Sequence, residues 1–151
     1  MPPVGDLERI LEFLAGIGIE VAEEALGEDT LLPAITVRHG TVVFDPARLD
    51  QPGDLLHEAG HVAVMERPRR TALATVADDP GEEMAAIAWS NAAAAAIGLD
   101  PRVVFHDAGY RGDGAWLAES FAQSPPFGVP LLAWYGMTDA TSYPRMTRWL
   151  R

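Results

Sequence analysis

The chain contains 151 residues, of which 22 are acidic and 11 basic for a formal net charge of −11, and it has no cysteine. A domain of this length can bury a sizeable core without cross-links, and the absence of cysteine excludes disulfides, thiolate nucleophiles, thiolate zinc sites and iron–sulfur clusters. All the basic residues are arginines, which excludes Schiff-base and phosphate-loop lysine chemistry, and the acidic balance opposes binding to nucleic acid or anionic membranes.

The first predicted element is a short amphipathic helix. Its apolar side chains recur at the spacing that lines one helix face, namely Leu7, Ile10, Leu11 and Leu14. Asp6 stands where an N-cap is expected, and the glycines that follow the apolar positions would end the helix. Residues 19–22 could form a strand directly after it.

A β-hairpin is predicted next. β-branched residues fill two arms, 35–38 and 41–44, which are separated by His39 and Gly40. A two-residue loop that ends in glycine suits the positive φ angles of a tight hairpin turn.

Two longer helices follow the hairpin. The first is expected over about residues 51–65, with Pro68 closing it. The second begins at Asp79 as N-cap, with Glu82 at the third helical position as in a capping box. It then continues through an alanine-rich stretch to about residue 97.

Beyond residue 100 the sequence predicts mostly loops, because glycine and proline recur throughout this part. Residues 103–105 could form a strand, and a short helix is expected near residues 115–122. The order of helix, hairpin, two helices and irregular tail predicts an α+β domain with a small antiparallel or mixed sheet.

The sequence shows no signal for export or for a membrane span. Its first segment lacks a basic region and carries Asp6, Glu8 and Glu12, so no secretory signal is expected. The most apolar stretch, residues 84–99, is shorter than a bilayer-spanning helix. We therefore expect a single domain over residues 1–151 and a cytoplasmic protein. We expect it to bind neither nucleic acid nor a membrane.

Residues 57–61 read HEAGH and lie on the first of the two longer predicted helices. His57 and His61 are four residues apart, so both imidazoles project from one helix face at a separation suited to one metal ion. Glu58 lies about 100° around the helix from His57, where it can take a proton from water that the metal activates. This arrangement is the HExxH pattern of zinc hydrolases.

A catalytic zinc ion needs a third protein ligand, and without cysteine the candidates are Glu82, Glu83, His106 and the aspartates. A third histidine six residues after His61 is excluded, because that position is Arg67. At the third helical position, the Glu82 carboxylate can return to the N-cap amide. We therefore expect Glu83 to face the histidines, with Glu82 as the alternative.

Asp54, His106 and Tyr110 are secondary candidates for the site. Asp54 lies three residues before His57 on the same helix face, so it could accept a hydrogen bond from a ligand imidazole. His106 or Tyr110, in a glycine-rich segment, could donate to the oxyanion that develops during hydrolysis. A purely structural role is the alternative for both Asp54 and Tyr110. Acidic residues are common in first helical turns, and tyrosines are common in surface turns, so both interpretations stay open.

HEAGH followed by EEMAAIA resembles the small bacterial gluzincin metallopeptidases, and especially the minimal zincins of the ImmA/IrrE type. The resemblance covers about residues 35–97. It implies a minimal zincin-like domain in which a hairpin precedes the HExxH helix and an alanine-rich helix follows it. One Zn²⁺ ion would be bound by His57, His61 and Glu83, and Glu58 would be the general base.

These observations predict a zinc-dependent hydrolase, specifically a metallopeptidase with a peptide or protein substrate. Glu58 would accept a proton from the activated water and deliver it to the leaving amine. Two alternatives remain: a catalytically silent zinc-binding module for regulation or protein interaction, and a hydrolase of a non-peptide amide.

Overall fold

A computed structural model describes residues 5–28, 30, 34–73, 79–106 and 127–151. Within these residues the chain has five α-helices, one 3-10 turn and a three-stranded mixed sheet, which confirms the α+β class. In chain order the elements are α1 (Asp6–Ile17), β1 (Val21–Glu23), β2 (Ile35–Arg38), β3 (Thr41–Phe44), α2 (Asp54–Val64), α3 (Arg67–Ala72), α4 (Pro80–Ile97), the 3-10 turn (Pro101–Val103) and α5 (Val129–Trp134).

The sheet has the order β1-β3-β2, with β3 parallel to β1 and antiparallel to β2. The predicted hairpin is confirmed, and Ile35 lies opposite Phe44 across it. His39 and Gly40 form its loop with φ angles of 49° and 82°, as a tight turn of this type requires. The first strand begins at Val21, two residues later than predicted.

Helices α2 and α4 form the centre of the molecule, and α2 also contacts both strands of the hairpin. Every residue of α2 is buried, so this helix lies inside the core. Gly60 permits its close approach to α4, because a Cβ atom at this position would lie 2.8 Å from the carbonyl oxygen of Ala86. The His-bearing helix is therefore held directly against the helix that begins with Glu82 and Glu83.

Helix α4 begins and ends close to where its capping signals predict. The Asp79 side chain accepts hydrogen bonds from the amides of Gly81 and Glu82, which satisfies donors that a helix start leaves unpaired. At its other end Gly98 adopts the left-handed conformation with φ of 85°. These two caps fix the register of the helix, and with it the direction in which each glutamate of the first turn points.

Proline lies in the first turn of two elements where the sequence predicts something else. Pro68 lies in the first turn of α3 instead of closing α2, because a helix start does not use the N–H that proline lacks. Pro101 likewise starts the 3-10 turn, in which Asp100 accepts a hydrogen bond from the Arg102 amide. The strand predicted over residues 103–105 is therefore wrong.

Two further helix predictions differ from the structure. Asp6 is the first residue of α1 and Gly5 is its N-cap, so the predicted cap is wrong by one position. The sequence does not predict helix α5, because Pro130 indicates a loop there, whereas in the structure it lies in the first turn of the helix. The helix predicted near residues 115–122 lies outside the described residues. Across the described helices, none combines the length and the apolar character that a membrane span needs.

Candidate metal centre

The HEAGH residues lie on one buried helix whose neighbours are apolar. Leu56 and Val62, next to the two histidines, are buried in the core, which holds α2 in place against the sheet and α4. His57 and His61 are themselves buried, and the centroids of their rings are 5.1 Å apart. The four-residue spacing therefore brings the two imidazoles together on one side of the helix, as the pattern predicts.

Glu83, in the first turn of α4, reaches both histidines. Its Oε1 atom lies 3.4 Å from Nε2 of His57, and its Oε2 atom lies 2.5 Å from Nε2 of His61. One ligand atom from each of the three residues can be chosen so that all lie within 4.8 Å of one another. The Glu83 side chain is 45% exposed, so the group is open to solvent on the side of this carboxylate.

Glu82 points elsewhere. Its side chain is only 4% exposed, and its carboxylate accepts hydrogen bonds from Arg69, with 2.7 Å between Oε1 and Nη1 and 3.4 Å between Oε2 and Nη2. The predicted hydrogen bond from the N-cap amide to this carboxylate is wrong. The carboxylate pairs with Arg69 instead, and the side chain of Asp79 caps the helix. Of the two glutamates, the structure thus places Glu83 beside the histidines.

Glu58 is a buried carboxylate next to the group. Its side chain is 5% exposed, its Oε1 atom lies 3.8 Å from Nε2 of His57, and its Oε2 atom has no hydrogen-bond partner among the described residues. Burial raises the pKa of Glu58 to about 7; nearby His61 lowers it, and the charges of Glu83 and Asp54 raise it further. A carboxylate with a pKa in this range can accept and return a proton near neutral pH.

The two histidines and Glu83 differ in how burial and their neighbours affect their pKa values. Burial lowers the pKa of His57 to about 4, against a smaller opposing effect of Glu83, so this imidazole is neutral at pH 7. Burial alone would lower the pKa of His61, but its hydrogen bond with Glu83 and the nearby carboxylates together raise it. Burial would raise the pKa of Glu83, but the same hydrogen bond and the two imidazoles lower it.

Asp54 and His106 form a pair at the start of α2. The Oδ1 atom of Asp54 lies 2.6 Å from Nε2 of His106, and both side chains are largely buried. The 3-10 turn packs tightly here, since a Cβ atom at Gly53 would lie 2.0 Å from the carbonyl oxygen of Val103. Asp54 is therefore engaged by His106, and His106 is not part of the group that Glu83 completes. Tyr110 lies outside the described residues.

The side chains present fit a zinc ion. Two imidazoles and one carboxylate are ligands that catalytic zinc takes in proteins, with bonds of about 2.0–2.2 Å that leave a fourth position for water. The neutral imidazole of His57 has the lone pair that such a bond needs. The buried Oε2 atom of Glu58, which lacks a hydrogen-bond partner in the described part of the chain, is the kind of acceptor that a water at that position could satisfy.

Arg69 is the residue beside the site that the sequence does not predict. Arg69 lies 13 positions before Glu82, on helix α3, where the sequence predicts the end of a helix. No local pattern therefore links the two residues. The only available signal is a positive charge shortly after the HExxH segment and a negative charge in the first turn of the next long helix.

Comparison of the chain with protein-family models, with curated proteins and with solved structures finds no match.

Proposed function

We propose that the protein is a zinc-dependent hydrolase, and specifically a metallopeptidase. The observation that carries this proposal is the meeting of His57, His61 and Glu83 around one point, with the buried carboxylate of Glu58 beside them. Three of these four residues belong to the HExxH pattern, and the fourth comes from a separate helix. Such convergence of ligand atoms from two elements, next to a base, is the arrangement that metal-assisted hydrolysis requires.

The four residues have two kinds of role in this proposal. His57, His61 and Glu83 would bind the metal; when bound, zinc supplies a Lewis acid that polarises a scissile carbonyl and lowers the pKa of a water. Glu58 accepts the proton of the attacking water and then donates it to the leaving amine. Burial raises the pKa of Glu58 to about 7 in the metal-free site. The charge of a bound ion would lower this pKa and favour the carboxylate form that accepts the proton. The open side at Glu83 leaves access for a substrate.

Replacement of Glu58 by Gln tests the enzymatic part of the proposal. Glu58→Gln keeps the size of the side chain and removes the base, so turnover of casein and of a fluorescence-quenched peptide library should fall by about 10²–10⁴-fold. Elemental analysis should still find close to one zinc per chain, because Glu58 is not a ligand. Glu12→Gln, at an exposed position of α1, is the matched control and should leave both quantities unchanged.

The same measurements separate the alternatives. A wild-type protein that holds one zinc but cleaves neither peptides nor amino-acid anilides, just like Glu58→Gln, would favour the silent zinc-binding module. Cleavage of simple acyl anilides that contain no amino acid, without cleavage of peptides or of amino-acid anilides, would favour a non-peptide amide hydrolase. A purified protein that contains no zinc and takes up none on reconstitution would contradict the metal centre itself.

A further inference from the structure

The ion pair between Arg69 and Glu82 lies next to the candidate metal centre without contributing a ligand to it. Arg69 belongs to α3 and Glu82 to the first turn of α4. Two nitrogens of the guanidinium face the two oxygens of the carboxylate, at 2.7 and 3.4 Å. A two-point contact of this kind fixes the orientation of a carboxylate as well as its position.

Because of where its two residues lie in the chain, this ion pair links the segment that carries the histidines to the helix that carries Glu83. Helix α3 starts three residues after α2 ends, so Arg69 belongs to the segment that continues directly from the His-bearing helix. Glu82 immediately precedes Glu83, so a force on its side chain acts on the same helical turn. The Asp79 cap joins only residues at the start of α4, and the contacts of Glu83 with the histidines are those of the proposed ligand itself.

Without Arg69, the Glu82 carboxylate would be a buried negative charge without its partner, one residue from the proposed ligand. Such a charge is costly, because desolvation is no longer offset by an ion pair. The carboxylate would then take up a proton or move towards solvent. Either change removes the contact that holds Glu82 on the Arg69 side of the turn, and with it a restraint on the direction of the neighbouring Glu83.

We infer that Arg69 is a positioning residue for the metal centre: it holds Glu82 away from the histidines and keeps Glu83 turned towards them. The inference rests on the proposed function, because it takes the group of His57, His61 and Glu83 as a zinc site. Arg69 itself contacts neither the metal nor a substrate in this proposal.

Electrostatics and positioning predict opposite effects when Arg69 is replaced by Gln. Removal of a positive charge near a cation site should strengthen metal binding by Coulomb's law. Loss of the contact that orients Glu83 should weaken it, and outer-shell partners of metal ligands typically contribute about 10–100-fold to affinity. A fall in affinity therefore identifies the positioning role, which a simple charge effect cannot mimic.

The test measures the dissociation constant for zinc by competition with a chromogenic chelator, on full-length protein first stripped of metal. Arg69→Gln should bind zinc at least about tenfold more weakly than the wild type. Arg67→Gln is the matched control, because it removes the same charge from an exposed position of the same helix, and its affinity should stay within about twofold. Arg69→Lys keeps the charge without the two-point contact and should fall between.

Unfolding by urea in the presence of chelator shows whether each variant is folded before zinc is added. A folded Arg69→Gln variant with wild-type or higher affinity would overturn the inference while leaving the proposed function intact. A wild type that binds no zinc would overturn both. If Arg69→Gln does not fold, Arg69→Gln/Glu82→Gln removes the unpaired buried charge; weakened zinc binding by this variant supports the inference, and unchanged binding contradicts it.

Discussion

Glu82 and Glu83 are neighbours with the same side chain, yet the structure places them in different surroundings. Successive residues on a helix point about 100° apart, so one faces Arg69 while the other faces the two histidines. The Asp79 cap fixes where the helix begins, and the ion pair with Arg69 holds Glu82 on its own side of the first turn. The chemistry of each carboxylate therefore follows from its position in the first turn.

This difference predicts unequal effects of two matched substitutions on zinc binding. Glu83→Gln removes a charged ligand. It should weaken zinc affinity by more than the roughly 10–100-fold that a residue contributes when it only orients a ligand. Glu82→Gln removes the same charge one residue away, keeps an oxygen that Arg69 can reach, and should weaken affinity much less. Chelator competition on the two variants measures this, and a larger loss in Glu82→Gln would assign the ligand role to the other glutamate.

At the scale of elements, the centre depends on how closely α2 and α4 approach. The contact occurs at Gly60, between the two histidines of the pattern, and at the backbone of Ala86 on α4. Alanines such as Ala85 and Ala88 are also fully buried along α4, so small side chains line this helix. The close approach lets the carboxylate of Glu83 reach the imidazoles on the other helix.

We predict that Gly60→Ala destabilises the fold although alanine favours helices. Its Cβ atom would lie 2.8 Å from the carbonyl oxygen of Ala86, so backbone must move, and overpacking of this kind costs about 1–3 kcal/mol. The gain in helix propensity, about 1 kcal/mol at most, does not offset this. Gly16→Ala in α1 is the control, because no atom of the described residues outside the adjoining helix backbone lies within 4 Å of its Cβ position. This variant should stabilise the fold by about 0.5–1 kcal/mol. Urea unfolding in chelator measures both, and a stabilised Gly60→Ala would contradict the close packing.

The sequence predicts those elements whose signals lie within a few residues of one another. The hairpin follows from two β-branched arms around His39 and Gly40, and α4 follows from Asp79 at its start and Gly98 at its end. The HExxH spacing places two imidazoles on one helix face for the same reason. In each case the governing interaction is local, so it can be recognised without knowledge of the fold.

Contacts between distant residues are not predictable in this way. Asp54 and His106 are 52 positions apart, and their pairing depends on how the 3-10 turn packs against the start of α2. The pairing of Arg69 with Glu82 depends on Pro68 starting a helix, a role that the local pattern does not distinguish from ending one. The surroundings of the candidate ligands therefore come from tertiary packing.

For the molecule as a whole, the candidate ligands come from two helices that are far apart in sequence. His57 and His61 belong to α2, Glu83 belongs to α4, and the two helices form the centre of the core. A metal bound by all three would join these helices only in the folded state. Zinc binding should therefore be coupled to global stability rather than to the order of one loop.

We predict that zinc raises the thermal unfolding midpoint of the wild type and that chelator reverses the effect. At a free zinc concentration 100 times the dissociation constant, the stabilisation is about 2.7 kcal/mol, which corresponds to roughly 5–10 °C for a chain of this size. Glu58→Gln should keep the shift, because Glu58 is not a ligand, and Glu83→Gln should lose most of it. Magnesium should produce no comparable shift, since it prefers oxygen ligands to imidazole. Calorimetry of the three proteins measures these midpoints, and an equal zinc-dependent shift in Glu83→Gln would mean that the metal does not join α2 to α4.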